Sequence, residues 1–181
     1  NNLKIEKIKD FPRLNGRVYD RKNIRGGNLK GGHSLTEEEK MNLEIAIAIQ
    51  AEGYIRNDKP TCPIRVSSKR KKKQLKVLFQ GNIEEENNGR FRARVSKKSS
   101  AFDWLKVEEN PKNKSFNLNK LLKLDFKSRE FFLKTIHKWD GDFTRENIYN
   151  QHKRNKKAVE QVQIMALLTN KSTSWYIKQK D

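Results

Sequence analysis

Two carboxylates stand where a chain could use them as a pair. Glu52 is followed by Gly53 and Asp140 by Gly141; an apolar helical segment leads up to each acid, and two short β-like runs follow it. From Gly53 to Ser68 is 15 residues and from Gly141 to Asn155 is 14, and Ser68 and Asn155 are each placed to start a further helix. A supersecondary unit that occurs twice implies an internal two-fold axis between its copies, which brings the two helix ends, and with them the two acids, together. Hard oxygen donors from opposite halves suit Mg²⁺ or Mn²⁺, because such a cation takes few protein carboxylates and fills its shell with water and substrate phosphate. Metal held in this way stabilises the attacking and leaving oxygens in phosphodiester hydrolysis. The placement also has an electrostatic cost. Each carboxylate lies at a helix C-terminus, where the macrodipole disfavours negative charge, and the two repel, so without a cation the pair is expected to be strained.

The chain around these acids is strongly basic. Its 181 residues carry 41 Lys and Arg against 22 Asp and Glu, a net charge of +19, with a pI near 10.1, so the surface projects a positive field and the natural partner is a polyanion. Nucleic acid leads, because neutralising phosphates releases counterions and yields affinity without any sequence readout. Charge alone leaves DNA, RNA and an anionic membrane surface open. The 34% apolar content is enough for one domain, or for two small halves sharing a core. The single cysteine, Cys62, excludes an internal disulfide and a cysteine zinc cluster, and His33, His137 and His152 lack metal-ligand spacing. No run approaches the ~18 apolar residues of a membrane span, so a soluble, intracellular protein is expected.

The elements that must position the acids are legible as periodicity and caps. Residues 1–33 read as a basic, glycine-punctuated arm, and 34–181 as the ordered domain, divided into 34–118 and 119–181. Ser34-Leu35-Thr36-Glu37 fits a capping box, and the helix it opens carries Met41, Leu43, Ile45 to Ile49 and Ala51, apolar around most of its circumference toward Glu52. Strand-like runs at Tyr54–Asn57 and Pro63–Val66 flank an Asn57-Asp58-Lys59-Pro60 turn. Ser67 or Ser68 caps a second helix, with Leu75, Val77, Leu78 and Phe79 as its core side and Gly81 as its stop. In the strand from Gly89 to Val95, alternation sets Arg90, Arg92 and Arg94 on one face and Phe91, Ala93 and Val95 on the other. A polar connection follows. Asp125 then caps the helix that ends at Asp140, short strands lie around Phe143 and Ile148-Tyr149, and Asn155 caps a helix carrying Val159, Val162, Ile164, Met165, Leu167 and Leu168. Trp175-Tyr176-Ile177 reads as a closing strand.

With these residues in place, the chain resembles the LAGLIDADG homing endonucleases over about residues 35 to 178. Ile45-Ala46-Ile47-Ala48-Ile49-Gln50-Ala51-Glu52-Gly53 is similar to the first family motif, and Leu133-Lys134-Thr135-Ile136-His137-Lys138-Trp139-Asp140-Gly141 to a second. The resemblance implies an α/β (α+β) fold of two pseudo-symmetric αββαββα-like units in one monomer, with an antiparallel β saddle over the DNA major groove, where each base pair shows a distinct donor and acceptor pattern. It implies that Glu52 and Asp140 hold Mg²⁺ or Mn²⁺ and are catalytic in double-stranded DNA cleavage. Arg56, Arg65, Arg90, Arg92, Arg94, Lys97 and Lys153 form the DNA-contacting set. Arg70 and Lys71 in the first half, and Lys153 and Lys156 in the second, lie at strand-to-helix junctions, either beside the scissile phosphate or as phosphate-positioning charges. Glu stands at position 52 where the family usually has Asp, and Lys134, Lys138 and Trp139 replace small or apolar residues, with Trp139 set against Ala48 and Ala51. The alternatives are a non-cleaving member acting as an RNA maturase or DNA-binding regulator, and a basic RNA-binding structural protein.

Overall fold

The computed structural model describes residues 32–108, 110, 113–142, 148–149 and 155–171, which form five α-helices and small antiparallel sheets. The expected arm up to residue 31, Phe143, His152, Lys153 and the 175–177 strand lie outside the described residues.

Helix α1 (Glu37–Glu52) starts at Thr36, two residues later than a Ser34 cap would place it. Thr36 Oγ1 accepts from the Glu39 N–H at 3.2 Å, and the Glu39 carboxylate accepts from the Thr36 N–H at 2.9 Å, so the reciprocal box forms two residues further on. Residues 33–35 are instead tied to the 123–128 segment. The His33 N–H donates to the Lys123 carbonyl at 2.7 Å, and the Leu35 N–H to Ser128 Oγ at 3.0 Å. Toward its end α1 is enclosed, with Ala46, Ile47, Ala48, Ile49 and Gln50 all buried.

Strand β1 (Thr61–Val66) buries Cys62, Ile64 and Val66 on one face, and Arg65 points outward. Helix α2 (Lys69–Leu78) follows, capped by Ser68. Strand β2 (Glu84–Glu85) and strand β3 (Phe91–Ser96) complete a sheet of order β1-β3-β2, with Ile64 opposite Ala93 and Arg65 opposite Arg92. Residues 54–57 are not the strand their composition suggests. A bridge between Gly53 and Ile64, with the Tyr54 N–H donating to the Pro63 carbonyl at 2.9 Å, holds the chain to β1 briefly before Arg56 and Asp58 pair across the turn. Val77 is 73% exposed, not part of the core side of α2, because two residues of helix carry it about 200° around from buried Leu75. Gln80 and Gly81, at φ 49° and 83°, turn the chain out of α2 through left-handed backbone.

The connection that reads as polar is built. It holds a 3₁₀ turn (Ser100–Trp104), the hairpin of β4 (Leu105–Val107) and β5 (Lys114–Phe116), and α3 (Leu118–Leu122). Elements of three to five residues are too short to show a period, yet Trp104, Leu105, Phe116 and Leu121 are all buried, and the Phe116 ring meets Phe132 edge-on at 5.1 Å. Helix α4 (Phe126–Asp140) begins as read, with Asp125 accepting from the Ser128 N–H at 2.7 Å. It packs against α1, and fully buried Phe132 and Trp139 share a core with Ala46 and Ala48. Strands β6 (Gly141–Asp142) and β7 (Ile148–Tyr149) pair antiparallel, and α5 (Lys156–Leu167) follows. Asn155 precedes α5 without a side-chain capping bond to it; the helix is fixed by Ala158, Gln161, Met165 and Ala166 on its buried side. Gln161 extends β5: its amide accepts from the Phe116 N–H at 2.7 Å and donates to the Phe116 carbonyl at 2.8 Å. Among the described residues, no helix is long and apolar enough to cross a membrane.

Candidate active site

Helices α1 and α4 end in the same local geometry. Gly53 has φ −74° and ψ 145°, Gly141 has φ −75° and ψ 153°, and each donates its N–H to the carbonyl four residues back, Ile49 or His137. Neither glycine is there for a positive φ. A Cβ on Gly53 would lie 2.6 Å from the Ile49 carbonyl oxygen, and one on Gly141 2.4 Å from that of His137, so the tight exit leaves no room for a side chain. From each exit the chain enters a β pairing, Gly53 with Ile64 and Gly141 with Tyr149.

The acids just before these glycines meet at one point. Lys71, in the first turn of α2, donates its ammonium to Glu52 Oε1 and to Asp140 Oδ1, the latter at 2.8 Å. The three side chains retain 15% (Lys71), 29% (Glu52) and 11% (Asp140) of their exposure, so the cluster opens to solvent mainly along Glu52. Burial, the largest effect on Lys71, lowers its pKa, but hydrogen bonds and charges from Asp140 and Glu52 outweigh it together and raise the group above the ordinary lysine range. It is an ammonium ion at neutral pH.

Cations also cover the last carbonyls of both helices. The Arg70 guanidinium donates to the Lys138 carbonyl and, at 3.3 Å, to that of Trp139, and Gln74 adds a bond to Lys138 at 2.9 Å. Lys114, 7% exposed, donates to the carbonyls of Ile49, at 2.7 Å, and Gly53. Positive charge at a helix C-terminus is where the macrodipole favours it. The expected strain of an uncompensated acid pair is therefore corrected: Lys71 lies between the carboxylates, and Arg70 and Lys114 answer the two helix ends.

The two carboxylates converge on the position that the Lys71 ammonium fills, and among the described residues no group of three or more His, Cys, Asp and Glu side chains is placed to hold a metal ion, so a cation shell here would have only two protein carboxylates. Water and phosphate would have to complete such a shell, as Mg²⁺ prefers.

The remaining sequence-derived residues fall into three places. Arg65, Arg92 and Arg94 share the outward face of the sheet, but acids from β2 and its flank hold them: Arg65 lies 3.1 Å from Glu86, Arg92 bonds Glu84 and lies 3.0 Å from Glu86, and Arg94 is 3.4 Å from Glu84. The hydrogen bond from Arg92 lowers the Glu84 pKa, and the same bond raises that of Arg92. Arg90 is exposed at the start of this strand. Arg56 and Lys97 meet at the turn end of the sheet, where the Lys97 ammonium donates to the Arg56 carbonyl. Lys156, at the first residue of α5, is exposed and lies 3.5 Å from Glu160. The reading from sequence missed Lys114, Gln74, Glu84 and Glu86. Glu84 and Glu86 carried a signal, acids two apart in register to share one strand face; Lys114 carried none, since nothing beside it marks a buried lysine.

No family model, curated protein or solved structure matches the chain.

Proposed function

We propose that this chain is a divalent-metal-dependent endonuclease of double-stranded DNA, of the LAGLIDADG kind, with its two halves related by an internal two-fold axis. The observation that carries the reading is the convergence of Glu52 and Asp140, from two alike and mutually packed helix ends, on one cation position. Glu52 and Asp140 would hold Mg²⁺ or Mn²⁺, which when bound supplies charge stabilisation to the phosphodiester oxygens. Lys71, whose ammonium fills that position, would have to withdraw from between the carboxylates to admit the metal and would then offer a second positive charge to an entering phosphate, while Arg70 and Lys114 fix the backbone beneath them. The arginine face of the sheet suits the major groove, where guanidinium reads guanine bidentately. To do so, Arg65, Arg92 and Arg94 exchange Glu84 and Glu86 for DNA, which discriminates against weakly complementary sequences.

One observation favours a second reading. Lys71 already bridges the two acids and offsets one of their two negative charges, so they also serve as a structural ion bridge in a non-cleaving nucleic-acid-binding protein. Cleavage of a random-target plasmid library with Mg²⁺ separates the two: Glu52→Gln and Asp140→Asn abolish cutting and leave DNA affinity within a few-fold if the acids hold metal. Cutting by both variants at the parental rate rejects the assignment.

A further inference from the structure

Helix α2 carries Lys69, Lys72, Lys73 and Lys76 at spacing i, i+3, i+4 and i+7, which sets all four on one face. The opposite face is committed, with Leu75 buried, Lys71 on the acids, and Arg70 and Gln74 on the end of α4. Among the described residues none of the four stripe lysines forms an ion pair, whereas Arg65, Arg92 and Arg94 are all held by Glu84 or Glu86. Two of the four are oriented by an aromatic ring. Lys72 and Lys76 lie 4.7 and 5.1 Å above the Phe91 ring, which orients them without neutralising them. Phe91 alternates with Arg92 along β3, so the stripe belongs to the helical layer behind the arginine face.

Like charges on adjacent turns repel, and the first turn of α2 contains no acid to satisfy its positive end. A polyanion relieves both. From Lys69 to Lys76 the helix rises about 10 Å, and a DNA strand advances about 3.4 Å per phosphate, so the stripe matches about three successive phosphates. It begins two residues before Lys71, on the face of the helix turned away from the acid pair.

From these observations we infer that Lys69, Lys72, Lys73 and Lys76 form a second phosphate-binding surface, which takes the backbone of double-stranded DNA flanking the segment read by the arginine face. This rests on the nucleic-acid reading of that face. The test compares the parent with a Lys69→Gln/Lys73→Gln/Lys76→Gln variant, Lys72 being spared for its packing on Phe91, by fluorescence anisotropy over a salt series. Duplexes of about 12 and about 40 base pairs are used, short enough and long enough to exclude or include the flank. On the long duplex the slope of log K against log salt is expected to fall in magnitude by about 2.7, at about 0.9 per phosphate contact, with no change on the short one. A Lys69→Gln/Lys73→Gln variant, expected to lose about 1.8, provides the same readout if the triple variant does not fold. An unchanged slope on the long duplex overturns the inference, as does an equal loss on both lengths. Failure of the endonuclease reading looks different: no metal-dependent cutting, with the two salt slopes still apart.

Discussion

Replacing Lys71 by methionine would leave Glu52 and Asp140 facing each other across the position its ammonium fills. Neither N–O contact exceeds 2.8 Å, so the two bonded oxygens lie within about 5.6 Å, and at an effective dielectric of about 20 they repel by roughly 3 kcal/mol. On the same scale the Lys71–Asp140 attraction is roughly 6 kcal/mol before the desolvation of either charge, and desolvation removes much of it. The useful quantity is therefore a sign. With Lys71 present, Asp140→Asn removes more attraction than repulsion and is expected to destabilise the metal-free fold by about 1 kcal/mol; in a Lys71→Met background it removes repulsion alone and is expected to stabilise by about 1 to 3 kcal/mol. Urea unfolding of the four proteins at pH 7 and low salt completes the double-mutant cycle. Equal effects of Asp140→Asn in both backgrounds, within about 0.5 kcal/mol, would refute the shared ammonium.

Because the folded-state pKa of Lys71 is raised, its bridge contributes fully below the unfolded value near 10.5 and is lost as pH rises through the folded value, so the stability difference between parent and Lys71→Met should be flat from neutral pH to about 10 and then shrink. A difference that disappears by pH 9 in chemical denaturation would count against it. Gln161→Leu strips both polar groups of Phe116 of their partners and is expected to cost about 2 to 4 kcal/mol, while Lys157→Gln on the exposed side of α5 costs under about 0.5 kcal/mol; similar urea midpoints for the two would show that the amide is not completing the strand. Gly141→Ala drives a methyl into the His137 carbonyl and is expected to lower stability by about 2 kcal/mol, and Gly53→Ala comparably, whereas Gly89→Ala, with open space around it, costs what its positive φ dictates, about 1 kcal/mol. Thermal melts ranking Gly89→Ala as the worst of the three would contradict the account of the helix exits.

What was legible in the sequence was what repeats or caps. The apolar end of α1, the Asp125 cap, the two acid-glycine exits and the alternation of β3 each depend on neighbours a few residues away, and periodicity records such neighbours. Thr36 displaced Ser34 as a cap because His33 and Leu35 are engaged by Lys123 and Ser128, a tertiary effect from some ninety residues along the chain. The 100–122 region failed for a different reason: elements of three to five residues are too short to show a repeating pattern, even where every residue is buried, as in β5. At the site, sequence brought the two acids together but gave no account of what holds them so. Lys71 was one cation in a run of five, and nothing local distinguishes it from Lys72 or Lys73; its fall on the inner face follows from where Leu75 is buried. Lys114 and the acids Glu84 and Glu86 act across elements, where spacing is silent.

We propose that the acid pair cuts DNA with a divalent cation, and mapping of the ends it would generate tests this most directly. Genomic DNA is digested with Mg²⁺ by the parent and by a Glu52→Gln/Asp140→Asn variant, and all new ends are sequenced. A small set of recurrent double-strand ends is expected with the parent, none with the double variant, and none when the metal is chelated. The same recurrent ends produced by the double variant, or a parent that generates no ends above background while binding DNA tightly, would contradict it.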